Sequence, residues 1–366
     1  MMLRTEEIQV NMGPQHPSTH GVLRMILTLD GEVVVEAKPD IGYLHRGIEK
    51  LAEKRTYNQF VTLTDRTDYL SSMLDNAVYA IAVEKLMGIE VPERAEYIRV
   101  IMMELNRIAS HLVFVGAFGL DLGASTPFIY AFREREDIID IFEATCGARL
   151  TYSYIRPGGV MRDLPVGIDE KIRAFLRKLP ARLVEIDDLF SRNEIVFVRT
   201  RGVGVISAED AISYAMSCPN LRGSGVAFDV RKDEPYSVYN RLKFNVVTQP
   251  TCDCLARYLV RTGEIRESLK IIGQALDGLP EGDYTAKVPR ALRPPAGEVF
   301  TRIESSRGDL GVYLVSDGST SPYRLHWRAP SFINLAAVSQ MVKGWKVADV
   351  VAILGSLDIV LGEVDR

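Results

Sequence analysis

Residues 11–21, NMGPQHPSTHG, restrict more than any other stretch what this chain can fold into. The segment holds two of the five histidines, His16 and His20, together with two prolines and two glycines. Proline fixes φ and lacks an N–H, and glycine adopts conformations that other residues avoid. A helix carrying an i,i+4 histidine pair is therefore excluded, and we predict a rigid turn or loop that points side chains in fixed directions.

The residues after this loop predict a β-hairpin. Two β-rich runs, 22–29 and 32–37, flank the dipeptide Asp30-Gly31, which is a strong short-range signal for a hairpin turn. The histidine loop would then be attached to a rigid sheet. Polar loops on such scaffolds are frequent locations of binding and catalytic residues.

Composition narrows the class of protein. The chain has 366 residues, 47% hydrophobic and 25% charged, as in ordinary globular proteins, and its net charge of −4 gives no basic field for nucleic acid. The N-terminus lacks an apolar h-region, so we expect no signal peptide. Residues 112–132 have about the length of a membrane span, but their glycines and Asp121 favour a buried segment instead.

The four cysteines are too few and too scattered for a disulfide framework, which suits a reducing compartment. Cys252 and Cys254 form a CxC pair, but no second pair completes a tetrahedral metal site. Isolated thiols are the favoured interpretation.

The rest of the chain predicts mostly helices. Apolar spacing and start signals indicate helices from Ile48, over 58–86 with a break near 64–69, and from Pro92 through Leu112. Residues 116–127 are expected to break the pattern. Further helices are predicted over 131–150, 168–191 (interrupted at Pro180), 208–216, 252–276 and 347–354, and strands over 298–304, 311–316 and 324–328. We predict one α+β, mainly α, domain over 1–366, with a β-hairpin region (1–45), a helical core (46–200) and a mixed region (201–366).

Several polar side chains interrupt apolar helical sequence. Residues 64–69 form either a solvated helix–helix corner or a functional group of residues. Glu104, Arg107 and His111 lie along one helix edge, where a solvated or salt-bridged face is favoured. Asp121 is either a cap or a functional carboxylate.

No P-loop, GxSxG, HExxH or paired CxxC motif is present. The remaining candidate chemistry is a histidine–tyrosine–aspartate–arginine set that suits proton donation to a polar ligand head. Its members are His16 or His20, Tyr69, Asp121, Arg46 and Arg66.

Longer motifs carry a family resemblance. They are GPQHPSTHG (13–21), GYLHRGIEK (42–50), DRTDY (65–69), LDLGA (120–124), YIRPGGV (154–160) and SLDIVLGEVDR (356–366). In this order and over essentially the whole length, the chain resembles the D-type, quinone-site subunits of NADH:quinone oxidoreductase, respiratory complex I.

The resemblance implies a fold like that of the nickel–iron hydrogenase large subunit. Hydrogenases hold their metals with two CxxC pairs, whose places fall here at Asp68 and Ser71 and at Val360 and Glu363, with Arg366 in the place of a terminal histidine. Without thiolates at these positions, nickel–iron ligation is excluded, and the chain is expected to bind no metal or cluster.

The resemblance also implies a function: reduction and protonation of quinone in a cavity shared with a neighbouring subunit that holds a four-iron four-sulfur cluster. His20 and Tyr69 match headgroup ligands, and Asp121 matches the acid paired with the histidine. His16 and Gly21 belong to the quinone-site loop. Arg46 and Arg66 match arginines beside the cluster.

The implied enzyme is a proton-pumping translocase, active only as a complex that binds NADH elsewhere. Expected partners are the iron–sulfur subunit, a C-type subunit of the peripheral arm and the quinone-channel subunit of the membrane arm. The expected location is the cytoplasmic side of a bacterial inner membrane, peripheral to it through the complex. A ferredoxin- or deazaflavin-dependent relative and a non-catalytic scaffold are the alternatives. Many members of the family carry a histidine where this chain has Thr151, next to the cluster.

Overall fold

The computed structural model describes residues 7–15 and 21–366. Its N-terminal sheet is antiparallel with the order β1-β2-β3, built from β1 (Glu7–Met12), β2 (Arg24–Asp30) and β3 (Val33–Asp40). The predicted hairpin is confirmed: β2 and β3 meet at Gly31, whose φ of 62° suits glycine. Strand β1 was not predicted, and it sets one end of the histidine loop. His16 and His20 lie outside the described residues.

The helical core begins after this sheet. Its elements are α1 (Ile48–Ala52), α2 (Tyr57–Thr64), α3 (Ser72–Met87), α4 (Glu93–Asp121), α5 (Thr126–Cys146) and α6 (Ile168–Ile186), with the short strands β4 (Ile155–Arg156) and β5 (Gly159–Val160) between α5 and α6. Thr56 and Gln59 form a capping box at the start of α2. Helix α6 runs through Pro180 and continues into a π-helical turn, Asp187–Ser191, so the predicted interruption is wrong.

Helix α4 also corrects the sequence prediction. We expected a break from residue 116, but the helix continues to Asp121. A Cβ on Gly116 would lie 3.2 Å from the Phe128 backbone, and one on Gly119 would lie 3.1 Å from the Ala124 carbonyl oxygen. These glycines therefore permit close packing against α5 instead of ending the helix. Helix α4 is long and apolar enough to cross a membrane, but 89% of its apolar window is buried inside the protein, as in a core helix.

The C-terminal half adds a second antiparallel sheet and further helices. The strands are β6 (Gly297–Glu304), β7 (Asp309–Ser316) and β8 (Arg324–Arg328), as predicted. The helices are α7 (Glu194–Thr200), α8 (Ala208–Ser213), α9 (Val230–Asp233), α10 (Cys254–Asp277), α11 (Pro330–Ala336), α12 (Val338–Val342), α13 (Val347–Leu357) and α14 (Leu361–Asp365). The Asp253 side chain caps α10 by accepting the Ala256 N–H at 2.8 Å.

Helix α4 is the centre of the packing, since α3, α5, α10 and α13 all contact it. The predicted mainly helical α+β class is confirmed. Helix α14 was not predicted, and it returns the end of the chain to the α2–α3 turn. A Cβ on Gly362 would lie 2.7 Å from the Thr67 carbonyl oxygen. This contact brings the α2–α3 turn and the C-terminal helix together at one place in the core.

Candidate functional site

A cavity of about 390 Å³ lies where four segments meet. They are the turn between α2 and α3, the C-terminal half of α4, the turn between β6 and β7, and the link between α13 and α14. The lining is mostly apolar with a few charged or hydroxyl groups, as is usual for sites that bind organic molecules. Its residues are Tyr69, Leu70, Val113, Phe114, Ala117, Leu120, Asp121, Arg307, Asp358, Ile359 and Val360.

The α2–α3 turn is not the solvated corner that was one of the two interpretations of its sequence. Asp65 and Asp68 are completely buried, whereas Tyr69 remains 39% exposed. The Asp65 carboxylate accepts the Ser153 N–H at 3.0 Å, although burial raises its pKa. The buried aspartates fix the turn so that Tyr69 faces the cavity.

Opposing influences act on the Tyr69 hydroxyl. Burial raises its pKa, and the neighbouring Asp68 carboxylate raises it further. The Arg307 and Arg46 guanidiniums act in the opposite direction because they stabilise a phenolate. At neutral pH the side chain is therefore a protonated phenol with two cations placed to stabilise the anion that remains after proton donation.

Asp121 is the last residue of α4. A Cβ on Gly355 of α13 would lie 2.4 Å from Asp121 Oδ2, so only glycine lets these two helices approach at the carboxylate. The helix carries Asp121 into the same cavity as Tyr69, although 52 positions separate them. Two members of the predicted chemical set thus line one space.

The two predicted arginines lie together beside this site. Arg46 Nη2 donates to the carbonyl oxygens of Arg66 at 2.6 Å and of Gly362 at 3.3 Å. Burial lowers the pKa of Arg46, and the nearby Arg66 cation lowers it further. Arg66 is exposed, so the pair presents positive charge at the protein surface near the α2–α3 turn.

The described end of the histidine loop also lies near the cavity. A Cβ on Gly21 would be 3.1 Å from Leu361 Cδ1, next to Val360 of the cavity lining. The α14 carboxylate of Asp365 accepts the N–H groups of Gly42 at 2.9 Å and of Leu44 at 2.7 Å. The C-terminus therefore clamps the segment that leads into α1.

Sequence reasoning missed Arg307, which is 1% exposed at the base of the cavity. Its Nη1 donates to Ser71 Oγ at 3.1 Å, Nε lies 3.4 Å from Asp68 Oδ2, and Nη2 lies 3.4 Å from Asp358 Oδ1. This guanidinium interacts with three of the four positions that were compared with hydrogenase cysteines. It donates a hydrogen bond to Ser71, pairs with Asp68 and is stabilised electrostatically by Glu363. A cation of the chain itself, without thiolates, stands among them, and this donor set does not fit nickel or iron.

We define the cavity cluster as the ionic group around this arginine. Its members are Asp68, Asp75, Arg307, Asp358 and Glu363. Asp75 accepts the Asp68 N–H at 2.7 Å, and Glu363 accepts the Ser331 N–H at 3.0 Å. All five residues are at most 7% exposed, so the cluster is part of the interior below the cavity.

A second ionic group, the closed network, lies elsewhere in the core. Its members are Glu104, Arg107, Arg222, Asp229, Arg231, Glu264 and Glu304. The predicted edge of α4 belongs to it: Glu104 and Arg107 are paired as expected, but they are buried instead of solvated, and His111 bonds Glu264 at 3.1 Å. Asp229, Glu264 and Glu304 could group around a metal by distance, but Arg222 and Arg231 already neutralise them.

The structure thus brings Tyr69 and Asp121 together, with Arg46 and Arg66 alongside and Gly21 at the edge. His16 and His20 fall outside the described residues, so their place stays a prediction. The hydrophilic stretch 305–309 between two predicted strands was the signal that could have indicated Arg307. Nothing in that stretch indicates that the arginine is buried.

Comparisons with known proteins place the chain in a family. The family of the respiratory-chain NADH dehydrogenase 49 kDa subunit matches residues 121–295 and 287–366. Curated proteins named as the D subunit of NADH-quinone oxidoreductase are similar over the full chain. Those of Desulforamulus reducens and Geobacillus kaustophilus are both 56% identical, with 100% of each chain covered. That of Clostridium beijerinckii is 52% identical, covering 100% of this chain and 98% of its own. The chain therefore belongs to the 49 kDa subunit family of the respiratory-chain NADH dehydrogenases.

Proposed function

We propose that this chain is the quinone-site subunit of a proton-pumping NADH:quinone oxidoreductase. The observation that supports it best is the cavity in which a phenol, a carboxylate and a buried guanidinium share an otherwise apolar lining. The D subunits of NADH-quinone oxidoreductases match the chain from end to end, which favours NADH as the donor of the complex over ferredoxin or deazaflavin.

The cavity residues suit the protonation of a reduced quinone. A quinone that accepts two electrons becomes a dianion unless its oxygens are protonated. Tyr69 is a protonated phenol at neutral pH and can donate to one oxygen, while Arg307 and Arg46 stabilise the phenolate that remains. His20 is proposed as the second headgroup ligand, and Asp121 as the carboxylate that holds it in its donor tautomer.

The exposed arginines suit a partner rather than the quinone. We propose that Arg46 and Arg66 face the subunit carrying the terminal four-iron four-sulfur cluster, where their charge would favour the reduced cluster. His16 and Gly21 are proposed to belong to the quinone-site loop. The C-type subunit and the membrane-arm channel subunit are the other proposed neighbours, and the chain would reach the cytoplasmic face of the inner membrane through them.

Replacing Tyr69 by phenylalanine tests the proposal. Tyr69→Phe keeps the ring and its packing but removes the hydroxyl, and losing one positioned general acid typically costs about 10²–10⁴-fold in rate. We expect quinone reductase activity in membranes to fall by that amount while a native gel shows an assembled complex. The matched control is Tyr323→Phe, since Tyr323 is 66% exposed and lies outside the cavity lining.

Two results would decide against the site. Wild-type turnover in Tyr69→Phe would make this side chain an ordinary packing residue. An equal loss in Tyr323→Phe would mean that the assay reports general damage to the complex. Should Tyr69→Phe not assemble, ultraviolet resonance Raman spectra of the wild-type complex test the same contact. Quinone binding should then change a tyrosine band, and unchanged tyrosine bands would decide against the site.

A further inference from the structure

Three buried carboxyl groups below the cavity each have an oxygen without a hydrogen-bond partner among the described residues. The atoms are Asp68 Oδ2, Asp75 Oδ1 and Glu363 Oε1, and all three residues are 0% exposed. Their other oxygens are satisfied, mainly by the N–H groups of Leu70, Asp68 and Ser331. Burying a charged oxygen without a hydrogen-bond partner costs free energy, and a bound proton removes that charge.

The cations around the three groups are too few for all of them to be ionised. Arg307 reaches Asp68 at 3.4 Å, but it also serves Asp358, which Arg261 approaches at 3.5 Å. Arg46 donates to backbone carbonyls of Arg66 and Gly362 instead. Within residues 7–15 and 21–366, no lysine, arginine or histidine nitrogen lies within 4 Å of a carboxylate oxygen of Asp75 or Glu363, and Arg307 pairs with Asp68 and Asp358 instead.

Two buried carboxylates without a neighbouring cation are not both ionised at neutral pH. Burial raises the pKa of Glu363 to about 8, with Asp68 adding to it, and burial followed by Asp68 and Glu363 raises that of Asp75. Tyr69, Arg307 and Asp358 are the other titratable groups facing them. The three carboxyl groups therefore share at least one proton at neutral pH.

This shared proton lies directly behind the cavity. Asp68 immediately precedes Tyr69, and its partner Arg307 lines the cavity wall. Glu363 is brought to the same place by α14, because Gly362 packs on the Thr67 carbonyl. A charge that develops on Tyr69 therefore acts on Asp68, and the Asp68 carboxylate in turn acts on Asp75 and Glu363.

We propose that Asp68, Asp75 and Glu363 form a proton store that reprotonates Tyr69. The proposal rests on the function proposed above. After Tyr69 has given its O–H proton to a quinone oxygen, a carboxylic acid O–H of the store breaks and the tyrosine O–H is restored. The store is left with one proton fewer and takes up a proton from solvent, so the step moves one proton and no electrons.

Infrared difference spectroscopy of the assembled complex tests the store directly. The wild-type complex is reduced with quinone bound and kept in turnover. We expect the carbonyl-stretch band of a protonated carboxylic acid to disappear under these conditions and to return on reoxidation. A spectrum without any such carboxylic acid signal would overturn the proposal, and this measurement needs no variant to fold.

Glu363→Gln gives the kinetic test. Glutamine keeps the acceptor for the Ser331 N–H and nearly the same volume, but it can neither bind nor release the proton. We expect kcat for quinone reduction to fall about 10-fold with KM unchanged, less than after loss of the primary acid. The solvent isotope effect should rise and the infrared band should be lost.

Glu304→Gln is the matched control. Glu304 is also fully buried, and burial followed by Asp229 raises its pKa to about 7, but it belongs to the closed network. This variant should keep the wild-type isotope effect and infrared band. A normal kcat and isotope effect in Glu363→Gln would refute the store alone, provided that Tyr69→Phe shows a large loss of activity. Normal turnover in Tyr69→Phe would refute the underlying site.

Discussion

The two ionic groups of this core differ in how well their charges are matched. In the closed network each carboxylate has a guanidinium within 3.3 Å, and four acids face three arginines. In the cavity cluster Arg307 lies 3.4 Å from Asp68 and from Asp358, which Arg261 also approaches at 3.5 Å, whereas Asp75 and Glu363 form no ion pair among the described residues. Matched burial stabilises one arrangement, whereas unmatched burial beside a cavity leaves groups free to change protonation. The difference supports a structural role for the closed network and agrees with the proposal that the cavity cluster serves the site.

Removing one arginine from each group is the strongest test of this difference in charge matching. Arg222→Met leaves Asp229, Glu264 and Glu304 short of a cation, and breaking a buried pair costs about 3–5 kcal/mol. We expect the complex to assemble poorly or to inactivate at markedly lower temperature. Arg307→Met should destabilise less, because Asp358 keeps Arg261 and burial already raises the pKa of Asp68, which can take up a proton.

Native gels and thermal inactivation of membranes carrying each variant measure the difference. Arg307→Met should assemble better than Arg222→Met yet have low quinone reductase activity. The reverse order of stability would mean that the cavity cluster, and not the closed network, holds the core together.

The sequence correctly predicted the features of the fold and the site that depend on local pattern. Asp30-Gly31 placed the hairpin, Pro92 placed the start of α4, and the polar turn at Tyr69 was identified as a candidate site. The end of α4 was misplaced because Gly116 and Gly119 act through contacts with α5, which no local pattern contains.

The membership of the two ionic groups depends even more on contacts between residues that are distant in the sequence. Arg302 and Arg307 are five positions apart at the end of β6 and the turn after it, but Arg302 pairs with the exposed Glu234 whereas Arg307 is buried among residues from four segments. Their sequence surroundings do not show which of the two is buried. Family resemblance supplied Tyr69 and Asp121 but not Arg307 or Asp75, and the structure adds these two.

The pH dependence of stability gives a smaller and more selective test. Burial and then Asp229 raise the pKa of Glu304 to about 7, and burial and then Asp68 raise that of Glu363 to about 8. Between the ordinary value near 4.5 and these values the folded chain binds more protons than the unfolded chain, so stability falls as pH rises through that window. The slope is about 1.4 kcal/mol per pH unit for each proton.

Thermal inactivation of the purified complex at a series of pH values checks this. Compared with wild type, the slope in Glu304→Gln should be smaller by about 1.4 kcal/mol per pH unit up to about pH 7, and that in Glu363→Gln smaller by the same amount up to about pH 8. Profiles of both variants parallel to that of wild type would show that neither carboxyl group holds its proton in the folded state.

The smallest expected effect comes from adding a titratable group where the chain has none. Thr151 lies two positions before Ser153, whose N–H binds Asp65 in the turn that carries Tyr69, and the family resemblance implies a histidine at this position in many members. Its φ of 55° is unusual for a β-branched residue and is better tolerated by histidine, so Thr151→His should fold. An imidazole beside the proposed cluster of the neighbouring subunit binds a proton more tightly when that cluster is reduced. Redox titrations of the assembled complex at several pH values should therefore show a cluster potential that falls with pH more steeply than in wild type, toward a limit of about 59 mV per pH unit. Thr151→Gln is the control, because it adds a polar side chain that cannot titrate. An identical slope in the histidine and glutamine variants would place Thr151 away from the iron–sulfur cluster.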